Sequence, residues 1–142
     1  MIEKADPAIL QRWIDEAWNR GREDVIDEVF AEHWVGHDLQ QPGCSGRTTG
    51  REQFKSAHRA FRSAFSDVEV KVDETLVAGD RVAVRCTAHG VHTGNGIGIS
   101  PTGKPVHITG TVIARVQDGR VVESWDNWDV MGLYHQLGLD VR

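Results

Sequence analysis

The spacing of apolar residues changes once along this chain, from a helical period to a strand period. Before residue 66, apolar positions recur every three or four residues, which predicts three amphipathic helices. Asp6-Pro7 marks the start of the first helix and Gly21 its end, because Asp is a preferred N-cap, Pro suits the first helical position and Gly favours the position after the last turn. The second helix includes Val25 to Phe30, and the third runs from about Arg51 to Phe65.

After Ser66-Asp67, apolar and polar residues alternate, which predicts strands with one buried face. The predicted strands are Val68 to Val77, Val82 to His89, His107 to Val116 and Arg120 to Trp128, preceded by an extended piece at Trp34 to Asp38 and followed by a short helix at Val130 to Leu137. Gln117-Asp118-Gly119 is a hairpin signature. Helices followed by antiparallel strands indicate an α+β fold. We expect three helices to cover one face of a curved sheet and to enclose a cone-shaped pocket.

Size and charge limit the classes of protein to consider. The chain has 142 residues, which predicts a single domain over residues 1–142. Its net charge is −5 and its Lys and Arg residues are scattered, so nucleic acid is not an expected partner. We find no apolar run of membrane-spanning length and no signal peptide at the N-terminus. Cys44 and Cys86 are interpreted as free thiols, which predicts a cytoplasmic protein.

The last predicted strand carries the most informative chemistry. Alternation places Ser124, Asp126 and Trp128 on one face and turns Glu123 and Trp125 to the other. An apolar wall beside a carboxyl group raises its pKa toward the working pH, as an acid/base catalyst requires. This pattern favours an enzyme that acts on a small molecule, and it makes Asp126 a candidate for the acid/base group. A surface carboxylate or an ion-pair partner is the structural alternative.

Several segments together resemble a known family. They are Trp18-Asn-Arg-Gly21, Val35-Gly-His-Asp38, Gly50-Arg-Glu-Gln-Phe54, Gly90-Val-His-Thr-Gly94, Gly98-Ile-Ser-Pro-Thr-Gly-Lys104, Asp118-Gly-Arg-Val-Val-Glu-Ser-Trp-Asp126 and Gln136-Leu-Gly138. In this order they resemble the SnoaL-like polyketide (ester) cyclases of the NTF2-like superfamily, and they span nearly the whole chain.

The resemblance implies both a fold and a reaction. It implies an α+β cone, a homodimer or homotetramer formed through the outer sheet face, and no metal or organic cofactor. Its best-understood members close a ring by intramolecular aldol condensation, in which a pocket carboxylate takes a proton from an activated carbon. Asp126 corresponds to that base. The cyclase pattern favours a His two residues earlier, where this chain has Ser124.

Two histidines are further catalytic candidates. By resemblance to the isomerases of the superfamily, His37 falls at the position of their general base, and Trp13 falls where they present an oxyanion donor. His107 shares a strand face with Thr111, and an unbroken register with the last strand would turn both into the cone. The candidate ligand-contacting residues are Trp13, Trp128, Trp125, Thr111, Ser124 and Phe61.

Other functions are weighed against this one. A metal site is not predicted, because the histidine pairs at spacing three and four fall on a strand and on a helix-to-strand junction. The Gly94–Gly98 segment is not a nucleotide loop, since no helix follows it. The alternative to a cyclase, isomerase or dehydratase acting on an apolar carbonyl compound is a non-catalytic module that binds a hydrophobic ligand or dimerises. Epoxide hydrolysis would need an Asp–Arg–Asp relay, and Arg85 and Arg115 are predicted to point away from the pocket.

Overall fold

The structure is a computed structural model, and it describes residues 4–38 and 47–139. The helices are α1 (Ala8–Arg12), continued by a π-helical segment (Trp13–Asn19), then α2 (Asp24–Val29), α3 (Arg51–Ala64) and α4 (Val130–Gln136). The strands are β1 (Phe30–Asp38), β2 (Arg47–Thr49), β3 (Phe65–Ala78), β4 (Arg81–His92), β5 (Pro105–Gln117) and β6 (Arg120–Trp128). The predicted helices and strands are all present, and β2 is an additional short strand.

The strands form one six-stranded sheet in the order β2-β1-β6-β5-β4-β3. Neighbouring strands from β3 to β6 are antiparallel, as predicted, while β1 runs parallel to β6. This parallel pair arises because the chain crosses from β1 through α3 to the far edge of the sheet and then returns strand by strand. The α+β class is therefore confirmed, with a mixed sheet rather than a purely antiparallel one.

The first helix begins as the sequence predicts. The Asp6 Oδ1 atom accepts a hydrogen bond from the Ala8 backbone N–H at 3.0 Å. At the end of the π-helical segment, the Asn19 side chain pairs with the backbone of β3, donating to Val70 O at 3.0 Å and accepting from Val70 N–H at 2.6 Å. Because β3 is an edge strand, this amide satisfies backbone groups that have no strand beside them. The segment is thereby tied to the sheet.

A group of aromatic rings packs inside the fold. Trp13, Phe30, Trp34 and Phe54 contact one another with ring centroids 5.0–6.0 Å apart, mostly edge to face. They belong to the main core cluster, between the helices and the inner face of the sheet. A second cluster, built on Val106, Leu133 and Leu137, lies where α4 and the β4–β5 connection pack on the sheet. The inner face is therefore apolar at both ends.

The β5–β6 hairpin contains a one-residue bulge that sets which side chains enter the cone. Asp118 and Gly119 form its turn with φ of 52° and 75°, and Gln117 pairs with Arg120. An unbroken ladder from this turn would pair Thr111 with Asp126. The register instead shifts between Arg115 and Val116, so that Val112 pairs with Asp126.

A shift of one residue reverses the faces of a strand. Val106, Val112 and Ala114 of β5 therefore face the core, while His107 and Thr111 are exposed on the outer face of the sheet. The prediction that His107 and Thr111 point into the cone is thus wrong. In the sequence, the bulge corresponds to two consecutive apolar residues, Val121 and Val122, which are both buried.

His58 joins α3 to the π-helical segment. Its side chain is buried, and its Nε2–H donates to the Ala17 carbonyl oxygen at 2.6 Å. The ring also packs edge to face on Trp18 at 4.8 Å. Burial in this apolar setting lowers the pKa of His58, because desolvation disfavours the charged imidazolium.

The lowered pKa predicts that the fold loses stability on acidification. The folded state keeps His58 neutral while the unfolded chain protonates it, so this contribution is complete above the ordinary histidine pKa of about 6.5 and is lost as pH falls below it. His58→Gln keeps a donor for Ala17 without a titrating group. Thermal unfolding between pH 7.5 and 5 should therefore be less pH-dependent in the variant. Equal dependence in the two proteins would contradict this account.

Candidate active site

The inner face of β6 carries Ser124, Asp126 and Trp128 in a row, as the alternation predicts. Their partners on β5 are Ala114, Val112 and Gly110, in that order. Ser124 is 5% exposed, and Asp126 and Trp128 are half-buried. The row therefore runs from the packed core toward more accessible space, with the carboxylate at the transition.

On the β5 side, the neighbours of Asp126 are apolar. Val112 beside it is 1% exposed, and Cys86, on the next strand, is fully buried. Burial, followed by the carboxylates of Asp73 and Asp126, raises the pKa of the Cys86 thiol to about 11. Cys86 is therefore a neutral thiol at physiological pH and is unsuited to act as a nucleophile. A carboxylate in such a setting is the type of group that serves as a general base.

Trp128 depends on a glycine of the neighbouring strand. A Cβ atom added to Gly110 would lie 2.3 Å from the Cδ2 and Cε3 atoms of the Trp128 indole. The indole can thus lie flat on β5 only because residue 110 has no side chain. This contact fixes the ring two residues along the same face from Asp126.

Ser124 is held by a tryptophan that sequence analysis did not assign to the site. The Trp34 Nε1–H donates to the Ser124 Oγ at 3.0 Å, and both residues are buried. Gly36 pairs with Ser124 across the strands, and a Cβ there would lie 2.3 Å from the Trp34 ring. The space beside Ser124 is thus occupied by an indole. The signal in the sequence was the Trp34-Val35-Gly36 spacing, where a glycine follows on the same strand face.

His37 and Trp125 lie together on the outer face of the sheet. Their rings stack with centroids 5.4 Å apart, and His37 Nε2 is 2.8 Å from Glu123 Oε2. The hydrogen bond to His37, with Arg115 adding its charge, lowers the pKa of Glu123. The strand register therefore separates His37 and Trp125 from Asp126, which faces the other way.

The remaining predicted residues divide between the two faces. His107 and Thr111 lie on the outer face, as described above. Trp13 is buried in the core, and its Nε1–H has no hydrogen-bond partner among the described residues. Phe61 of α3 is half-buried and contacts Trp18 at 6.2 Å. Trp13, Phe61, Ser124 and Trp128 thus share the inner side with Asp126.

The surface of the described residues includes two concavities that Asp126 does not line. One, of about 350 Å³, is lined by Arg85, Thr109, Gly110, Thr111, Asn127, Trp128 and Asp129. The other, of about 540 Å³, is lined by Asp67, Glu69, His89, Gly90, Val91, Pro105, Val106, His107 and Gln136. Both consist largely of outward-facing residues.

The described residues were also compared with the requirements of a metal site and of a membrane span. Within residues 4–38 and 47–139, no group of three or more His, Cys, Asp or Glu side chains is arranged to hold a metal ion. Over the same residues, none of the helices combines the length and apolar character needed to cross a membrane. Cys86 is a free, buried thiol, and Cys44 lies outside the described residues.

The helices packed on the curved mixed sheet define an NTF2-like α+β cone, and comparison with known proteins identifies the family. The model of the SnoaL-like polyketide cyclases matches residues 8–137. The chain belongs to the SnoaL-like polyketide cyclase family.

The similar proteins include named cyclases. The chain is 29% identical over 136 residues to the aklanonic acid methyl ester cyclase DauD of Streptomyces sp. (strain C5), covering 91% of this chain and 80% of DauD. It is 28% identical over 129 residues to the nogalonic acid methyl ester cyclase of Streptomyces nogalater, covering 86% and 90% of the two chains. Among solved structures, wild-type IdmH from Streptomyces antibioticus is 31% identical with a TM-score of 0.79, covering 95% of this chain and all of IdmH. The relatives support a cyclase role for this protein.

The contact between Gly110 and Trp128 can be tested by adding one methyl group. Gly110→Ala should force the indole off β5 and lower the free energy of unfolding by about 1–3 kcal/mol, the usual cost of overpacking. Urea unfolding followed by tryptophan fluorescence measures both effects. Thr111→Ala, one residue away on the exposed face, is the matched control and should stay within about 0.5 kcal/mol of the wild type. An equally small change in Gly110→Ala would contradict the packing described.

Proposed function

We propose that this protein is a cofactor-independent cyclase that closes a ring by intramolecular aldol condensation on an apolar, carbonyl-containing polyketide. The observation that carries the proposal is the inward Asp126, half-buried beside Trp128 and backed by the buried Val112 and Cys86. Among the β6 side chains of the inner row, it is the only one that ionises. The family membership and the named activities of the relatives point to the same reaction class.

In the proposed reaction, Asp126 removes a proton from a carbon next to a substrate carbonyl. The resulting enolate carbon attacks a second carbonyl carbon of the same molecule, which forms the new C–C bond. The alkoxide produced takes up a proton, and the one held by Asp126 balances the reaction. The carboxylate thus returns to its starting state without any external oxidant or reductant.

The enolate needs a hydrogen-bond donor while its charge develops. We assign this role to the Trp13 Nε1–H, because it is buried and has no partner among the described residues. An unpaired buried N–H costs about 1–3 kcal/mol, and a ligand oxygen would recover that energy. We give His37 and His107 no role in this mechanism, since the strands turn them to the opposite face.

The ligand is proposed to lie between α3 and the inner face of the sheet. Phe61 of α3 and Ile108 of β5 remain partly exposed there. A planar polycyclic substrate would contact these residues and Trp128. Aromatic side chains suit such a ligand because they offer large flat surfaces at low entropic cost.

Asp126→Asn tests the proposed base. Turnover of aklanonic acid methyl ester or nogalonic acid methyl ester, the compounds named for the relatives, should fall at least about a hundredfold, because one positioned base contributes about 10² to 10⁴ in rate. Glu123→Gln is the matched control, since it makes the same change on the same strand but on the outer face. It should retain activity within about threefold.

The result separates the two functions considered above. Circular dichroism should show the same fold in the wild type and both variants. Asp126→Asn with near wild-type turnover would contradict the mechanism. A wild-type protein that binds these compounds tightly but converts neither would favour a ligand-binding module.

We also propose that two copies of the chain pack through the outer face of the sheet. A row of neighbouring residues crosses five strands there, namely Leu76, Ala83, Ile113, Trp125 and His37. We call this row the outer stripe. Leu76 is 63% exposed and Ile113 36%, which is unusual for large apolar residues. A two-fold axis would place one stripe against the other, since such an interface is self-complementary.

Ile113→Lys tests this assembly. The added charge joins Arg81 and Arg115, which pair on the neighbouring row, so two stripes carrying it should repel each other. Sedimentation velocity should show a dimer or tetramer for the wild type and monomer for the variant. Gln117→Lys, exposed at the hairpin end of β5, should leave the assembly intact. A monomeric wild type, or an unchanged Ile113→Lys assembly, would rule out this interface.

A further inference from the structure

Three side chains with metal-binding chemistry lie in a row across three strands. Glu69 of β3 pairs with His89 of β4, and His89 pairs with His107 of β5. All three lie on the outer face of the sheet, where the side chains of His89 and Glu69 are 50% and 65% exposed. The row is separate from the outer stripe, which crosses β4 at Ala83.

The two imidazole rings are neighbours across β4 and β5. Their centroids are 6.5 Å apart, with an angle of 40° between the ring planes. Two imidazoles bound to one tetrahedral Zn²⁺ have centroids about 5–5.5 Å apart, since each Zn–N bond is about 2.0–2.1 Å. To share an ion, the rings would have to approach each other by about 1 Å. Both side chains are exposed and so have room to move.

Glu69 is placed to orient one of the ligands. Its Oε2 atom lies 3.3 Å from His89 Nε2. A carboxylate beside one ring nitrogen favours the proton there and leaves the lone pair on the other nitrogen, Nδ1, for a metal. Glu69 thus acts on His89, and the ion is held by two imidazole nitrogens rather than by three side chains.

The backbone beneath the row is fixed by α4. The His107 N–H donates to Gln136 Oε1 at 2.7 Å, and the His107 carbonyl oxygen accepts from Gln136 Nε2 at 2.9 Å. His89 lies on β4, which is paired with β3 on one side and with β5 on the other. Ligands on such rigid positions lose little conformational entropy when they bind an ion.

The charge of the surrounding cleft favours a cation. The row lies in the concavity of about 540 Å³, whose lining includes the carboxylates of Asp67 and Glu69 and no Lys or Arg. Imidazole nitrogens suit ions of borderline softness, such as Zn²⁺, Ni²⁺ and Cu²⁺. We propose that His89 and His107 chelate a divalent transition-metal ion on the outer face of the sheet, with Glu69 orienting His89 and water completing the coordination.

Isothermal titration of the tag-free, metal-free chain with Zn²⁺ at pH 7.5 tests the proposal. The wild type should bind one ion per chain. His89→Gln and His107→Gln should each weaken Zn²⁺ binding at least about tenfold. Two ligands held near each other bind an ion more tightly than one alone, and each variant leaves only one. Glu69→Gln should weaken Zn²⁺ binding while leaving it measurable, because Glu69 orients His89 and does not itself hold the ion. His33→Gln and His135→Gln, which remove exposed histidines outside the row, are the matched controls and should bind as the wild type does.

A second readout locates the ion directly. Substoichiometric Cu²⁺ should first broaden the NMR signals of Glu69, His89 and His107. The proposal is overturned if the wild type shows no saturable Zn²⁺ binding. It is equally overturned if both row histidines can be replaced without effect, if His33→Gln or His135→Gln abolishes binding, or if the broadening begins elsewhere.

Discussion

The extra residue in β6, just after the hairpin turn, is the constraint on which the site depends. Side chains alternate along a strand, so one inserted residue decides which alternate residues of β5 share a face with Asp126. With the bulge, Val112 and Gly110 flank the acid and the indole. Without it, the threonines and His107 would do so, and Asp126 would lie in a polar, hydrogen-bonding setting. The apolar β5 residues beside the acid are thus a consequence of strand register.

The two faces of the sheet divide the electrostatics of the protein. On the outer face, β6 presents Glu123 to His37 and Arg115. The hydrogen bond from His37, with the guanidinium of Arg115, lowers the pKa of this carboxyl group. On the inner face, the same strand presents Asp126 beside the buried Val112. Burial, followed by the carboxylates of Asp73 and Asp126, raises the pKa of the nearby Cys86 thiol. Two carboxylates three residues apart are thus given opposite environments. This separation supports a chemical role for one and a structural role for the other.

Much of the fold could be predicted from the sequence, because it rests on local periodicity and turn chemistry. The Asp6-Pro7 helix start, the strand from Arg120 to Trp128 and the orientation of Asp126 all follow from patterns within a few residues. The parallel pairing of β1 with β6 and the short β2 could not be predicted this way, since both depend on contacts between distant segments. The predicted orientation of the His107 and Thr111 side chains was wrong for a different reason. The hairpin turn was identified correctly, but a bulge two pairs beyond it changed the register.

The site shows a similar division between local and distant information. Asp126 and Trp128 could be found from one strand, whereas the Trp34–Ser124 hydrogen bond joins residues 90 positions apart. The role of Gly36 and Gly110 becomes clear only when the positions of the Trp34 and Trp128 indoles are known. A strand glycine opposite a tryptophan is a signal that sequence reading can use when the pairing is known.

The most direct test of the central claim follows a proton at carbon. A substrate analogue that carries the acidic C–H but lacks the second carbonyl cannot cyclise, so NMR in D₂O reports only the step assigned to Asp126. The account predicts that the wild type exchanges this hydrogen for deuterium far faster than buffer does, and that Asp126→Asn binds the analogue without exchanging it. Exchange at the same rate in the variant, or an analogue that binds the wild type and keeps its hydrogen, would contradict the account.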